Sequence, residues 1–266
     1  MIKWFGWQEN PKPKPHKEVG LPPSVMMDLH ANPGAVLHKE NVQRLVRDGS
    51  NEPTHLANAA IYLLMKEAAE DSDGQRELIE GAVAALKEVP AGEDEKARQA
   101  LRTYAEGVIK NLPEDWTVGA RNLNRLNRAG FDYWDDRYAN KARELATDGR
   151  PVFLVGNSAF LGLTSFVRSF REAGKDLHIL MPSYMSEGEE ARGAGSFGNH
   201  PCGYVISPDG QVRGLPPNFE RPANAVIVDD VRNTGKTEDR IKEFWMRTSN
   251  DEPIFEPLDN SGGAVV

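Results

Sequence analysis

Chemistry concentrates in residues 224–237, which read N-A-V-I-V-D-D-V-R-N-T-G-K-T. Ala225, Val226, Ile227 and Val228 form a short continuous apolar run, the composition of a strand buried on both faces. Asp229 and Asp230 stand where that strand is expected to end, and a Thr-Gly-x-Thr turn follows. Beyond it Ile241, Phe244 and Trp245 fall on one face of a helix. Carboxylates at a strand end can accept hydrogen bonds from a vicinal diol. The N–H groups of a glycine-containing turn, with the positive end of a helix, can hold a phosphate. Thr234 and Thr237 add hydroxyl donors. The pattern suits a sugar phosphate. Gly235-Lys236-Thr237 also ends like a Walker A loop, but that loop needs glycine at position 230, and the carboxylate of Asp230 would repel the phosphate it should cradle. The plain alternative is an α/β turn whose acids cap the following helix.

The segments that position this motif begin at 150. Residues 152–155, V-F-L-V, read as a second buried strand and 156–162, G-N-S-A-F-L-G, as a turn. Leu163, Phe166, Val167 and Phe170 then mark a helix face that ends at Gly174, and 177–181 is another buried strand. Strand, turn, helix and strand make a βαβ unit, whose first turn lies at the carboxyl edge of a parallel sheet. Residues 187–203 are rich in glycine and charge. Residues 203–215 read as a β-hairpin around Pro208-Asp209-Gly210. After Thr237 there is room for one helix and one strand, 253–258, so the sheet is expected either to be short or to borrow a strand from 33–38.

Residues 53–149 are expected to be all-helical, a small bundle. Its helices are expected over 53–70, 73–89, 93–112, 116–129 and 132–147, with stops at Pro113, Gly130 and Gly149. Residues 1–52 are expected to be an extended arm; the Lys-Pro alternation at 11–15 is stiff and has no core. Trp4, Phe5 and Trp7 are expected to dock on the body of the protein or on a second subunit. Arg121, Arg125 and Arg128 belong to a solvated face. Tyr133, Trp134 and Tyr138 are expected to pack helices. His55 and His178 are expected to be structural, and His30 and His38 have no ligand-spaced partners.

The 266 residues carry 39% hydrophobic and 27% charged side chains and a net charge of -8. The pI is about 5.4 and the mean hydropathy -0.55. This acidic balance argues against duplex nucleic acid as a partner. No apolar run reaches the roughly 20 residues of a membrane helix. The first residues lack the apolar stretch of a signal peptide. The single cysteine, Cys202, excludes an internal disulfide and a multi-cysteine zinc site, and suits a reducing cytoplasm. Each half of the chain nets -4, so charge marks no special domain.

On residues 226–237, V-I-V-D-D-V-R-N-T-G-K-T, the sequence resembles the type I phosphoribosyltransferases. The match is dense over the motif and compatible in layout over roughly 151–258; the helical half is not covered. The resemblance implies a parallel-sheet α/β domain over 150–266. It implies a Mg²⁺-dependent glycosyltransferase of nucleotide metabolism, moving ribose-5-phosphate from 5-phosphoribosyl 1-pyrophosphate to a nitrogenous base and releasing pyrophosphate. By the same resemblance Asp229 and Asp230 approach the ribose hydroxyls as the catalytic pair. Arg232, Asn233, Thr234, Gly235, Lys236 and Thr237 hold the 5′-phosphate. Gly156, Asn157, Ser158 and Ala159 form the pyrophosphate loop. Residues 186–200, with Arg192 and His200, form a flexible loop, and the hairpin at 204–215 belongs to a hood over the acceptor. The implied Mg²⁺ binds through the substrate's phosphates, and no residue is named as its ligand. The implied partners are the phosphoribosyl donor and a nucleobase-like molecule, with a homodimer left open.

The departures from the family pattern are specific. Residues 181–184, M-P-S-Y, offer no cation after the second strand, and 156–162 lacks an internal charge. These keep open a non-catalytic module that binds the phosphoribosyl donor or a nucleotide and serves regulation. An interaction protein working through its helical half is a third class.

Overall fold

A computed structural model describes residues 36–40, 42–43, 72–90, 92–119, 132–181, 202–216, 218–231, 236–246, 249 and 251–259. Five helices are described: α1 (Ser72–Ala85), α2 (Asp94–Asn111), α3 (Asp132–Thr147), α4 (Gly156–Glu172) and α5 (Lys236–Met246). The strands are β1 (Val36–His38), β2 (Thr117–Gly119), β3 (Val152–Val155), β4 (Leu177–Leu180), β5 (Gly203–Ile206), β6 (Val212–Leu215), β7 (Val226–Val231) and β8 (Ile254–Asp259). Of the arm expected over 1–52, residues 1–35, 41 and 44–52 lie outside the described residues, as do the helix expected over 53–70 and the glycine-rich 187–201.

Six strands form one sheet in the order β6-β5-β4-β3-β7-β8. β4, β3, β7 and β8 are parallel to one another. β5 runs antiparallel to β4, and β6 antiparallel to β5. The chain is therefore α/β, and the sheet is mixed: the expected parallel strands carry the hairpin as two antiparallel strands at one edge. The reason is local. A parallel connection needs a crossover of a dozen or more residues. The tight turn at 207–211, closed by Ser207 N donating to Gln211 O at 2.9 Å and Gly210 N to Ser207 O at 2.8 Å, forces the hairpin strands to run in opposite directions.

The central strands are buried on both faces, and their residues alternate between two cores. Val152, Leu154, Leu177, Ile179, Val226 and Val228 join one core with buried residues of α1, α2, α3 and α4. Phe153, Val155, Leu180 and Ile227 join the other, with Ile241, Phe244 and Trp245 of α5. Helices thus cover both faces, as a parallel sheet requires. The helices before residue 150 share their core with the sheet. Gly162 has no side chain, so the Tyr138 ring of α3 lies directly on α4, edge-on to Phe166 at 6.5 Å. Arg168, 2% exposed, ties α4 to the α1–α2 connection. Its Nη1 donates to Asp94 Oδ1 at 2.7 Å and its Nε to Pro90 O at 3.0 Å.

Two expectations for the first half change. The helix expected from 116 does not begin there; Thr117–Gly119 pairs antiparallel with Val36–His38. Pairing of the β-branched Thr117 and Val118 overrides the helical reading. The strand expected from 33–38 is thereby used in a separate two-stranded sheet, and β8 is the last strand of the large one.

Candidate functional site

β3 and β7 are parallel neighbours, with Leu154 opposite Val228. One step further along that register Val155 comes level with Asp229. From β3 the chain turns one way, through α4 to β4; from β7 it turns the other way, through α5 to β8. This is a topological switch point, and the crevice outside the carboxyl ends of two such strands is where open α/β sheets place ligands. The sequence motif ends in this crevice because four apolar residues bury β7 between two layers and the polar residues come only at its end.

β7 does not end at the acid pair. It continues to Val231, with Asp229 opposite Pro257 and Val231 opposite Asp259 of β8. Asp229 is half-buried. Asp229 and Asp230 are therefore successive positions of a strand, and successive positions belong to opposite faces of the pleat. The register also brings Asp259 to the same sheet edge. Sequence reasoning missed it; the signal was an acid directly after the strand expected over 253–258, as Asp229 follows the apolar run of β7.

Gly156, Asn157, Ser158 and Ala159 do not form the expected turn: they are the first turn of α4, which starts directly after β3. Nothing between 156 and 162 breaks a helix, and Ala159 and Leu161 favour one, so the glycine at each end does not open a loop. The helix has no side-chain cap, since the residue before it is Val155 at φ -98°, ψ 122°. The first N–H groups of a helix have no partner within it. Here they lie at the carboxyl end of β3, beside Asp229. Lys236 and Thr237 likewise open α5, which begins past the end of β7 in the opposite layer. Two helix N-termini, one from each layer, thus flank the crevice. Arg232, Asn233, Thr234 and Gly235 lie outside the described residues, as do Arg192 and His200.

The hairpin is not a hood over this crevice. Its β5 starts at the carboxyl edge, with Gly203 opposite Leu180, and ends at the amino edge, with Ile206 opposite Leu177. Its turn therefore points away from Asp229. The sheet ladder itself dictates this, because β5 pairs with β4 over its whole length. At the carboxyl end of β4, Met181 is buried and its N donates to Cys202 O at 2.9 Å. Burial pushes the Cys202 thiol up to about 12, which keeps it protonated and unreactive. His178 stacks on Phe153 at 4.4 Å, and burial holds its pKa below the ordinary value; it lies inside the sheet, away from the crevice. Among the described residues, no group of three His, Cys, Asp or Glu side chains could hold a metal ion. No helix of the described residues is long and apolar enough to cross a membrane.

No family model matches the chain. It is similar to a fatty acid metabolism regulator protein of Shewanella halifaxensis, 28% identical over 158 residues, which is 56% of this chain and 62% of that protein. The similarity thus spans less than two thirds of the relative's own length. No solved structure matches the chain.

Proposed function

We propose that the crevice between the ends of β3 and β7 binds 5-phosphoribosyl 1-pyrophosphate and transfers its ribose-5-phosphate to a nitrogenous base. One observation carries this reading: the acid-pair motif and the uncapped N-terminus of α4 meet side by side at the switch point. The sugar lies across the end of β7, so that Asp229 and Asp230, from opposite faces of the strand, each accept a hydrogen bond from one ribose hydroxyl. The turn before α5 takes the 5′-phosphate through Arg232, the 233–235 amides and Thr234, with Lys236 and Thr237 behind it. The first-turn amides of α4, from Gly156 to Ala159, take the pyrophosphate, which leaves as the base nitrogen attacks the anomeric carbon. An oxocarbenium-like ribose is stabilised by adjacent anions, and a carboxylate of the pair supplies one. Residues 186–200, with Arg192 and His200, close over the reaction and exclude water. Mg²⁺ would be held through the phosphates of the substrate, with the carboxylates of the acid pair as its protein partners, and would supply positive charge against the departing pyrophosphate. The four parallel strands support the phosphoribosyltransferase-like reading, and the single cysteine supports a reducing cytoplasm.

The second reading is a module that binds the same donor, or a nucleotide, and regulates rather than transfers. Two observations favour it: a relative is named a regulator, and the described end of β4 carries no cation. Titration with phosphoribosyl pyrophosphate and Mg²⁺, followed by a pyrophosphate-release assay across nucleobases, separates the two. Release that is lost in the Asp229→Asn, Asp230→Asn double variant, with the fold intact, supports the enzyme. Binding without release supports the module, and a chain that binds neither the donor nor a nucleotide refutes both.

A further inference from the structure

At the opposite edge of the sheet from Asp229 lies a cleft of about 320 Å³. It opens between the end of α1, the end of α4, the start of β4 and the hairpin turn. Val83, Phe170, Leu177 and Ile206 form its apolar floor, and Lys87, Arg171 and Lys175 stand around it with Glu88 and Asp209. Three cations against two carboxylates leave this lining at +1, in a chain whose net charge is -8.

Part of the cationic set caps helix ends. Arg171 Nη1 donates to Leu86 O and Nη2 to Val89 O, each at 2.6 Å, which satisfies carbonyls past the end of α1. Lys175 Nζ donates to Asp148 O beyond the end of α3. These bonds fix both cations in place and leave donors over, since a guanidinium carries five N–H bonds and an ammonium three. Capping explains neither the exposed Lys87 nor the apolar floor between the three cations. A volume in the range of small-molecule clefts, an apolar floor and a few convergent polar groups are the usual attributes of a ligand site.

We infer that this cleft binds a small amphipathic monoanion, a carboxylate with an apolar body. The lining of +1 selects a single negative charge over a polyphosphate, and the floor selects the apolar body over a bare anion. The site is separate from the crevice at β3 and β7 and does not depend on its assignment.

The test titrates the whole chain with 2-naphthoate by calorimetry and saturation-transfer NMR. The uncharged 2-naphthamide and inorganic phosphate serve as controls. Saturable binding of naphthoate is expected, about tenfold tighter than the amide, with phosphate weaker still. Lys87→Glu turns the lining to -1 and is expected to weaken naphthoate by about tenfold or more while leaving the amide unchanged. Ala84→Trp, at an exposed position on the rim, is expected to remove both; circular dichroism checks that each variant folds. The Asp229→Asn, Asp230→Asn variant should bind naphthoate normally. No saturable binding, equal binding of naphthoate and amide, phosphate binding as tight as naphthoate, or titrations indifferent to both cleft variants would each overturn the proposal.

Discussion

Gly203 shows how one residue sets the path of the chain. A side-chain carbon there would overlap the Ile179 carbonyl oxygen, a backbone atom of the paired strand that cannot rotate away. Gly203→Ala is expected to cost about 2–3 kcal/mol, the upper part of the usual overpacking range. Urea unfolding would register this as a lower midpoint at an unchanged slope. His178 sets an acid limit. Burial is the main cause that lowers its pKa below 6.5; the bond to Val152 and the charge of Asp176 work the other way, and Arg213 adds to the lowering. The unfolded chain therefore takes up the proton first as pH falls. Stability should be level above about pH 6.5, fall as pH drops below it, and level off under the folded-state pKa. His178→Phe keeps the stack on Phe153 and should remove that slope from stability measured against pH. Neither effect is legible in the sequence, because both arise from neighbours across the ladder.

Among the elements, the joints around α4 matter most. Its first turn lies at the proposed site, and its middle is tied to the α1–α2 connection by Arg168. Arg168→Ala removes a side chain that is 2% exposed and leaves Pro90 O without its guanidinium partner, and is expected to cost about 2–3 kcal/mol. Asp94 is 57% exposed, and Asp94→Asn keeps an acceptor, so its cost should stay below about 1.5 kcal/mol. Chemical denaturation of both variants checks the ranking, and equal costs would refute it. The elements that the sequence located well, α2, α3, β3, β4, β7 and the hairpin, carry strong periodicity or continuous apolar runs. The misread ones are short. Residues 117–119 pair as a strand because a partner from 36–38 is available, and 156–162 continues as helix because nothing interrupts it.

At the scale of the whole molecule, one core joins α1, α2, α3 and α4 to a face of the sheet. Leu163, Phe166 and Phe170 of α4, buried in the core that α4 shares with α1, α2 and α3, would be uncovered without those three helices. A chain starting at residue 150 is therefore expected to be insoluble or to bind hydrophobic dyes; a soluble, cooperatively unfolding fragment would contradict this. The amino-acid sequence by itself determined the apolar strands, most helix faces and the motif at 224–237, since these follow from local composition and period. It also determined that the acids come where β7 leaves its buried stretch. Only the tertiary structure decided that β3 and β7 are neighbours, that β5 and β6 turn away from Asp229, that Asp259 reaches the same edge and that a cationic cleft forms at the other. Strand order and register are set by which apolar faces pack together, and no single segment carries that information.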